Sequence, residues 1–261
     1  MGGAHCATCK KITVRSFYFS PHTGPDLMAT TPTDHLVNNL LVLPPAICIS
    51  LKGSVERRAH VLRECANQNL EVEFMLVDPA ADPVRGCLES HVAAVALANE
   101  RRYPAVLIFE DDVEFIKDVG YAAAAIAAPA RWDMLFLGYN AQQNPTAADE
   151  AKDAAGSTDK WLRLRSAWCA HAYIVHSAVF DDILRGALDT AAWGALRQPH
   201  ETLCIDVYYR HVLMPRKHVW GAYPMLALQA PGWSALERRD VDYRATLLRN
   251  ADIAAGLPEL C

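Results

Sequence analysis

Glu110, Asp111 and Asp112 are consecutive carboxylates that directly follow the apolar run Ala105-Val-Leu-Ile-Phe109. Three like charges side by side repel one another, and a buried strand that ends in them draws part of that charge out of water. A hard, oxygen-loving divalent cation such as Mn²⁺ or Mg²⁺ relieves both costs. The rival reading is a solvated acidic turn whose Asp caps the next helix. Ligands of open α/β sheets gather at the carboxyl ends of strands, and the triplet stands at such an end.

Other residues could serve the same ligand. Ile49-Ser-Leu51-Lys-Gly-Ser54-Val-Glu-Arg57-Arg58 leaves a strand and enters a helix. Backbone N–H groups at that helix start, with an Arg57 or Arg58 guanidinium, suit an anion; the plain alternative is a first helix with solvated arginines. The chain has neither GxGxxG nor GxxxxGK[ST]. Ser90 and His91, in Gly86-Cys-Leu-Glu-Ser-His91, could donate to a ligand above the sheet edge or be structural. Glu201 and Asp206 fall on one predicted helix, where one could act as a general base if it faces the acidic triplet. Gln229-Ala-Pro-Gly-Trp-Ser234 is a ligand loop or a plain turn. Cys6-Ala-Thr-Cys9 lacks the second ligand pair of a zinc site.

The elements that must position these groups alternate in type. Ala46–Leu51 and Val72–Val77 read as strands, with a Ser54-capped helix between them. Leu88–Arg102 reads as a helix, Ala105–Phe109 as a strand, 119–128 as an Ala-rich helix and Met134–Leu137 as a strand. The polar stretch 139–159 reads as a loop and candidate lid. Trp161–Val175 gives one or two strands and Ser177–Ala187 a helix; Glu201–Val212 is another helix, Tyr223–Gln229 a strand, and Arg238–Ile253 a terminal helix. Apolar strands alternating with helices predict a largely parallel α/β sheet buried on both faces.

Residues 1–44, rich in Thr, Pro, His and Gly, read as an N-terminal extension, disordered or draped over a domain at 45–261. With a net charge of −5 and only short Lys/Arg pairs, nucleic acid is not an expected partner. Leu36–Leu51 is too short and too interrupted to span a bilayer, and the first residues lack a signal peptide's apolar core. A cytoplasmic location with reduced cysteines is the expectation.

In their order and spacing these motifs resemble glycosyltransferase family 25, which includes lipooligosaccharide and collagen galactosyltransferases. The resemblance spans about residues 46–235. It rests on Ile49-Ser50-Leu51 with Ser54-Val-Glu-Arg57-Arg58, on Gly86-Cys-Leu-Glu-Ser-His91, on Val106-Leu-Ile-Phe-Glu110-Asp111-Asp112-Val113, on Leu135–Tyr139, on Ala172-Tyr-Ile-Val175, on Asp206, and on Pro224 to Ser234 with Gln229.

The resemblance implies a GT-A-like, Rossmann-type sheet with helices on both faces and one nucleotide-sugar site. It implies that Glu110, Asp111 and Asp112 play the part of a DxD motif, with Mn²⁺ or Mg²⁺ between them and a UDP-sugar diphosphate, and Asp112 the first choice as direct ligand. Leu51, Arg57, Arg58, His91, Gln229 and Ser234 would border the donor. Asp206 would deprotonate the acceptor hydroxyl in an inverting displacement onto a glycan or hydroxylated side chain. Two departures stand out: Ser50 replaces the usual Asn, and Ser234-Ala235-Leu236 lacks the usual Asp after Ser, for which Glu237 or Asp240 are the available substitutes. The missing acid keeps a catalytically silent nucleotide-sugar or glycan binder as the alternative. A phosphohydrolase built on Asp111-Asp112 would need further ligand motifs that the chain lacks.

Overall fold

The computed structural model describes residues 13–16, 36–37, 40–41, 43–116, 131–142 and 160–256. The expected helix at 119–128, most of the expected lid and the Cys6–Cys9 pair lie outside them.

Short strands β1 (Thr13–Ser16), β2 (Leu36–Val37) and β3 (Leu40–Leu41) precede the first long strand, β4 (Ala46–Leu51). Helix α1 (Val55–Asn67), β5 (Val72–Val77), helix α2 (Pro83–Glu100) and β6 (Ala105–Glu110) follow. Next come β7 (Val113–Phe115), β8 (Met134–Ala141), β9 (Lys160–Arg163), β10 (Ala167–His176) and helix α3 (Phe180–Gly186). The short helices α4 (Thr190–Trp193) and α5 (Ile205–Tyr208) precede β11 (Val219–Tyr223), β12 (Ala227–Gln229), β13 (Gly232–Ser234), β14 (Arg239–Val241) and helix α6 (Arg244–Ala254).

The main sheet has the order β1-β5-β4-β6-β10-β8-β11-β9. All its strands run parallel except β10 and β9, which run against their neighbours. One face packs under α1, with Val61 and Cys65 against Cys48, Phe74, Leu107 and Phe109. The other packs under α2, α3 and α6, with Leu88, Val92, Ile183 and Leu247 joining Ile47, Ile108 and Val175. Leu107, Ile108 and Phe109 are fully buried, which stabilises each by about 1.5–3 kcal/mol over exposure. The expected α/β sheet of Rossmann type, with helices on both faces, is the one the chain adopts.

The chain leaves β4 outward to β5, then crosses back to β6 on the other side of β4. The carboxyl ends of β4 and β6 therefore diverge and open a crevice at a topological switch point. Ser50, Leu51 and Glu110 are at its lips, and α1 starts beside it.

Several elements depart from the sequence expectations. Helix α2 starts at Pro83, because Asp82 accepts the Val84 N–H at 3.0 Å and proline suits the first helical position. Ser54 precedes α1 without a side-chain cap bond; backbone bonds from Ser54 N to Leu51 O and Val55 N to Gly53 O, each 2.9 Å, form the turn instead. Tyr139–Ala141 continue β8 rather than opening a loop. The expected helix over Glu201–Val212 shrinks to α5 followed by a π-type turn over Tyr209–Leu213. Glu201 lies before it, buried among Trp168, Arg210 and His211. Pro224, without an N–H for a ladder, separates β11 from β12 where one strand was expected. Residues Arg239–Val241 form β14, so the terminal helix begins only at Arg244. Among the described residues no helix is long and apolar enough to cross a membrane, and Cys48, Cys65, Cys87, Cys169 and Cys204 are free thiols.

Candidate active site

The crevice opens into a cavity of about 380 Å³. Glu110, Asp111 and Asp112 line it with Arg57 and His91. Leu51, Gln229 and Ser234 line it too, from three further segments. The sheet thus brings together eight of the ten residues that the resemblance implies for the site. Arg58 and Asp206 are the two that do not line it.

Asp111 is fully engaged. Its Oδ2 accepts from Ser50 Oγ at 2.7 Å and its Oδ1 from Arg57 Nη1 at 3.1 Å. Asp112 is not. Its Oδ2 accepts from Gln229 Nε2 at 3.0 Å and from Arg57 Nη1 at 3.4 Å, while its Oδ1 is buried with no hydrogen-bond partner. Burial first, and then the charge of Glu110, push the Asp112 carboxyl up to about 7, against the opposing pull of Gln229 and Arg57. Such an orphaned acceptor is costly as it stands and suits a cation or a proton. The residues present therefore fit a hard divalent ion at Asp112, with Asp111 serving to hold the shape of the turn.

Glu110 is turned toward α2. Its Oε1 lies 3.0 Å from His91 Nε2, and His91 Nδ1 lies 2.8 Å from the Tyr173 hydroxyl, which in turn meets the Tyr209 hydroxyl at 3.1 Å. Burial acts to raise Glu110, but the His91 bond and charge, with His171 and Arg57 behind them, outweigh it and hold the carboxyl below its usual value. Cys87, one helical turn before His91, also lines the cavity; a hydrogen bond with Cys204, then burial, push its thiol well up.

Arg57 ties three segments together, because its Nη2 also donates to Trp233 O at 2.8 Å. That bond holds the β13–β14 hairpin over the cavity, with Trp233, 58% exposed, at the mouth. Arg58 instead bonds Ser50 Oγ at 3.2 Å and Lys52 O at 2.9 Å, fastening the β4–α1 turn. Ser234 Oγ accepts the Glu237 N–H at 3.2 Å. Glu237 itself pairs with Arg239, so Ala235 and Leu236 are what this turn presents to the cavity.

Asp206 sits behind the wall. Its Oδ2 accepts from Cys169 N at 3.1 Å and its Oδ1 from Val207 N at 2.9 Å. Cys169 has φ +71°, a left-handed conformation within the register shift of β10, so Asp206 pins a strained backbone turn. Burial raises the Asp206 carboxyl, against those two backbone bonds.

Gly138 explains how Gln229 reaches the triplet. A Cβ at this position of β8 would overlap Ala227 O and His171 Nε2, so only glycine lets β12 lie this close. Antiparallel pairing of β12 with β7 then sets Gln229 opposite Val113, next to Asp112. Ser50, Cys87, Tyr173 and Trp233 were not singled out as site residues. The Cys87–His91 spacing of one helical turn was a signal for Cys87, and Trp233 lies within the loop Gln229–Ser234.

Fold and site define an open α/β domain with an acidic cleft at its switch point. No protein-family model matches the chain, and no curated protein does. Among solved structures it is similar to a glycosyltransferase involved in the glycosylation of the major capsid of PBCV-1, at 12% identity over 75% of this chain and 97% of that one, with a TM-score of 0.44. It is also similar to the glycosyltransferase GlyE of Streptococcus pneumoniae TIGR4, at 7% identity over 69% of this chain and 45% of that one, TM-score 0.39. A nucleoside-diphosphate-sugar pyrophosphorylase from Vibrio cholerae RC9 aligns at 11% identity over 68% and 71%, TM-score 0.35. Likeness at this level carries no activity across; the chemistry of the cavity's own residues has to.

Proposed function

We propose that the chain is a metal-assisted glycosyltransferase that moves a hexose, galactose or glucose, from a UDP-sugar to a glycan or hydroxylated polypeptide acceptor. The observation that carries this reading is Asp112, which lines a cavity of about 380 Å³ at the switch point and whose Oδ1 is buried without a hydrogen-bond partner. Cavities of roughly this size, 300–1,000 Å³, take small-molecule ligands. The resemblance of the motif order to family 25 supports a nucleotide-sugar as the ligand class.

A divalent ion such as Mn²⁺ or Mg²⁺ held at Asp112 would offset the diphosphate charge and stabilise it on the leaving UDP. The chain's own residues do the rest. Gln229 orients Asp112 through Oδ2 and leaves Oδ1 free. Ser50 and Arg57 occupy both oxygens of Asp111, fixing the turn. Arg57 adds positive charge at the cavity and keeps the β13–β14 hairpin in place. His91 holds Glu110 to one wall. Trp233 offers an exposed apolar ring at the mouth, suited to the flat face of a base or sugar. In this reading Asp206 acts by positioning the Cys169 turn rather than by touching the acceptor.

The second reading, binding without transfer, has its own support: Ala235 and Leu236 border the cavity where an acid was expected, and Glu237 is turned to Arg239. Transfer and donor hydrolysis, measured across a UDP-sugar panel with and without Mn²⁺, separate the two. Turnover with one donor supports the transferase. Calorimetric UDP binding without turnover supports the binder. A folded protein that neither binds nor turns over any UDP-sugar removes both.

A further inference from the structure

We propose that Cys87, His91 and Glu110 form a second metal site, for a borderline-soft divalent cation of the zinc kind, on one wall of the same cavity. One ligand atom from each lies within 4.8 Å of the others. This site stands independently of the UDP-sugar reading.

Cys87 and His91 are one turn apart on α2, so their side chains share a helix face. Glu110 closes the set from the end of β6. Zinc takes sulfur at about 2.3 Å and nitrogen or oxygen at about 2.0–2.2 Å, which sets ligand–ligand edges of roughly 3.3–3.6 Å in a tetrahedron. The His91–Glu110 edge, 3.0 Å, is already near that size, leaving Cys87 to close in.

The outer shell has the form a metal-bound histidine needs. Such a ring holds its second nitrogen with a fixed polar partner, and here Tyr173, backed by Tyr209, stands 2.8 Å from Nδ1. His91 is 1% exposed, so its ring is also fixed by packing. In the tautomer whose Nδ1–H donates to Tyr173, Nε2 carries a lone pair toward the Glu110 carboxylate and can take a cation; without one, a proton on Nε2 makes the hydrogen bond to Glu110. Two lone-pair carriers 3.0 Å apart require a proton or a cation between them.

Donor chemistry separates this site from Asp112. Thiolate with imidazole favours zinc over Mn²⁺ or Mg²⁺, whereas a lone carboxylate oxygen favours the harder ions. Cation uptake releases the Cys87 thiol proton to solvent, and no electrons move. All three residues line the cavity, so the fourth position is open to water or a ligand oxygen.

The test uses the full chain carrying Cys6→Ala and Cys9→Ala, which removes the other cysteine pair able to hold zinc. Elemental analysis after dialysis should find about one zinc per chain, and Co²⁺ should produce a thiolate-to-cobalt absorption band. The band should vanish in Cys87→Ser and His91→Ala and persist in Asp112→Asn. Tyr173→Phe, which keeps all three ligands, should weaken Co²⁺ binding by about 10–100-fold. Near-UV circular dichroism verifies that each variant is folded. A folded parent that retains neither zinc nor Co²⁺, or a band that survives Cys87→Ser, overturns the proposal. Zinc binding without any UDP-sugar binding would leave this site standing and remove the donor reading alone.

Discussion

Gln229 Nε2 donates to Asp112 Oδ2 at 3.0 Å, joining residues 117 positions apart. Ala230 N adds a 2.7 Å bond to Asp112 O, so the same late segment holds both the backbone and the side chain of the metal-binding candidate. Through this contact the last third of the chain shapes a site whose acidic part ends at residue 112.

Gln229→Ala should therefore act on Asp112 rather than on the core. Losing one hydrogen bond to a charged group costs roughly 1.5–3 kcal/mol. Under the transferase reading this appears as about a 10-fold or greater loss of Mn²⁺-dependent donor binding, beside a fall of several degrees in Tm. Calorimetry reads it; unchanged Mn²⁺ and UDP affinity would show that Gln229 does not orient the ligand.

The Asp112 carboxyl, pushed up to about 7 from an ordinary 3.8, gives the metal-free protein a definite pH dependence. A folded-state pKa above the unfolded one means that the contribution is present at low pH and lost as pH rises through about 7. Metal-free protein should thus lose stability as pH rises from about 4 to about 7, and Mn²⁺ should restore it. Asp112→Asn removes that part of the slope and should melt about 3–8 °C higher than wild type at alkaline pH without metal. The same variant should lose donor turnover. Parallel melting curves for the two proteins across this range would count against the burial of an unpaired carboxylate.

Arg57→Lys keeps a positive charge but loses the fork that reaches Asp111, Asp112 and Trp233 O together. The expected result is weaker UDP binding, by about 10–100-fold, at the 1.4 kcal/mol per decade of affinity. Proteolysis of the β13–β14 hairpin should also quicken, since its tie to α1 is gone. Wild-type affinity in Arg57→Lys would reduce Arg57 to a point charge.

Gly138→Ala tests how β12 is placed. The added methyl meets Ala227 O and His171 Nε2, so β12 or the His171 ring must move. Overpacking of this kind costs about 1–3 kcal/mol, and displaced β12 carries Gln229 away from Asp112. Chemical denaturation and Mn²⁺ affinity should fall together; full stability would mean the two strands separate without strain.

Local pattern made most of the first half legible. Ala46–Leu51 and Val72–Val77 are strands with the bounds their apolar runs indicate; the first is buried from Ala46 to Ser50, as a strand covered on both faces is, and the second only at Phe74 and Met75. The Glu110–Asp112 turn at the end of β6 was legible for the same reason: charge stops a buried run. Later elements were less legible. Residues 201–213 carry a helix-like pattern, yet Glu201 is drawn out of the helix by Trp168, Arg210 and His211. Trp168 comes from another segment, while Arg210 and His211 lie 9 and 10 residues further along the same one, and no helical spacing announces either pairing.

The chemistry of the site was written in residue types: adjacent carboxylates, paired arginines, a late glutamine. Which of those groups is free was decided only by folding. Asp111 and Asp112 are neighbours of identical type, but Ser50 and Arg57 occupy both oxygens of Asp111, whereas Asp112 keeps one oxygen unpaired. Arg57 and Arg58 are adjacent too, and one reaches the cleft while the other fastens a turn. Side-chain partners depend on which strands lie side by side, and that is set by packing across the whole sheet rather than by spacing along the chain.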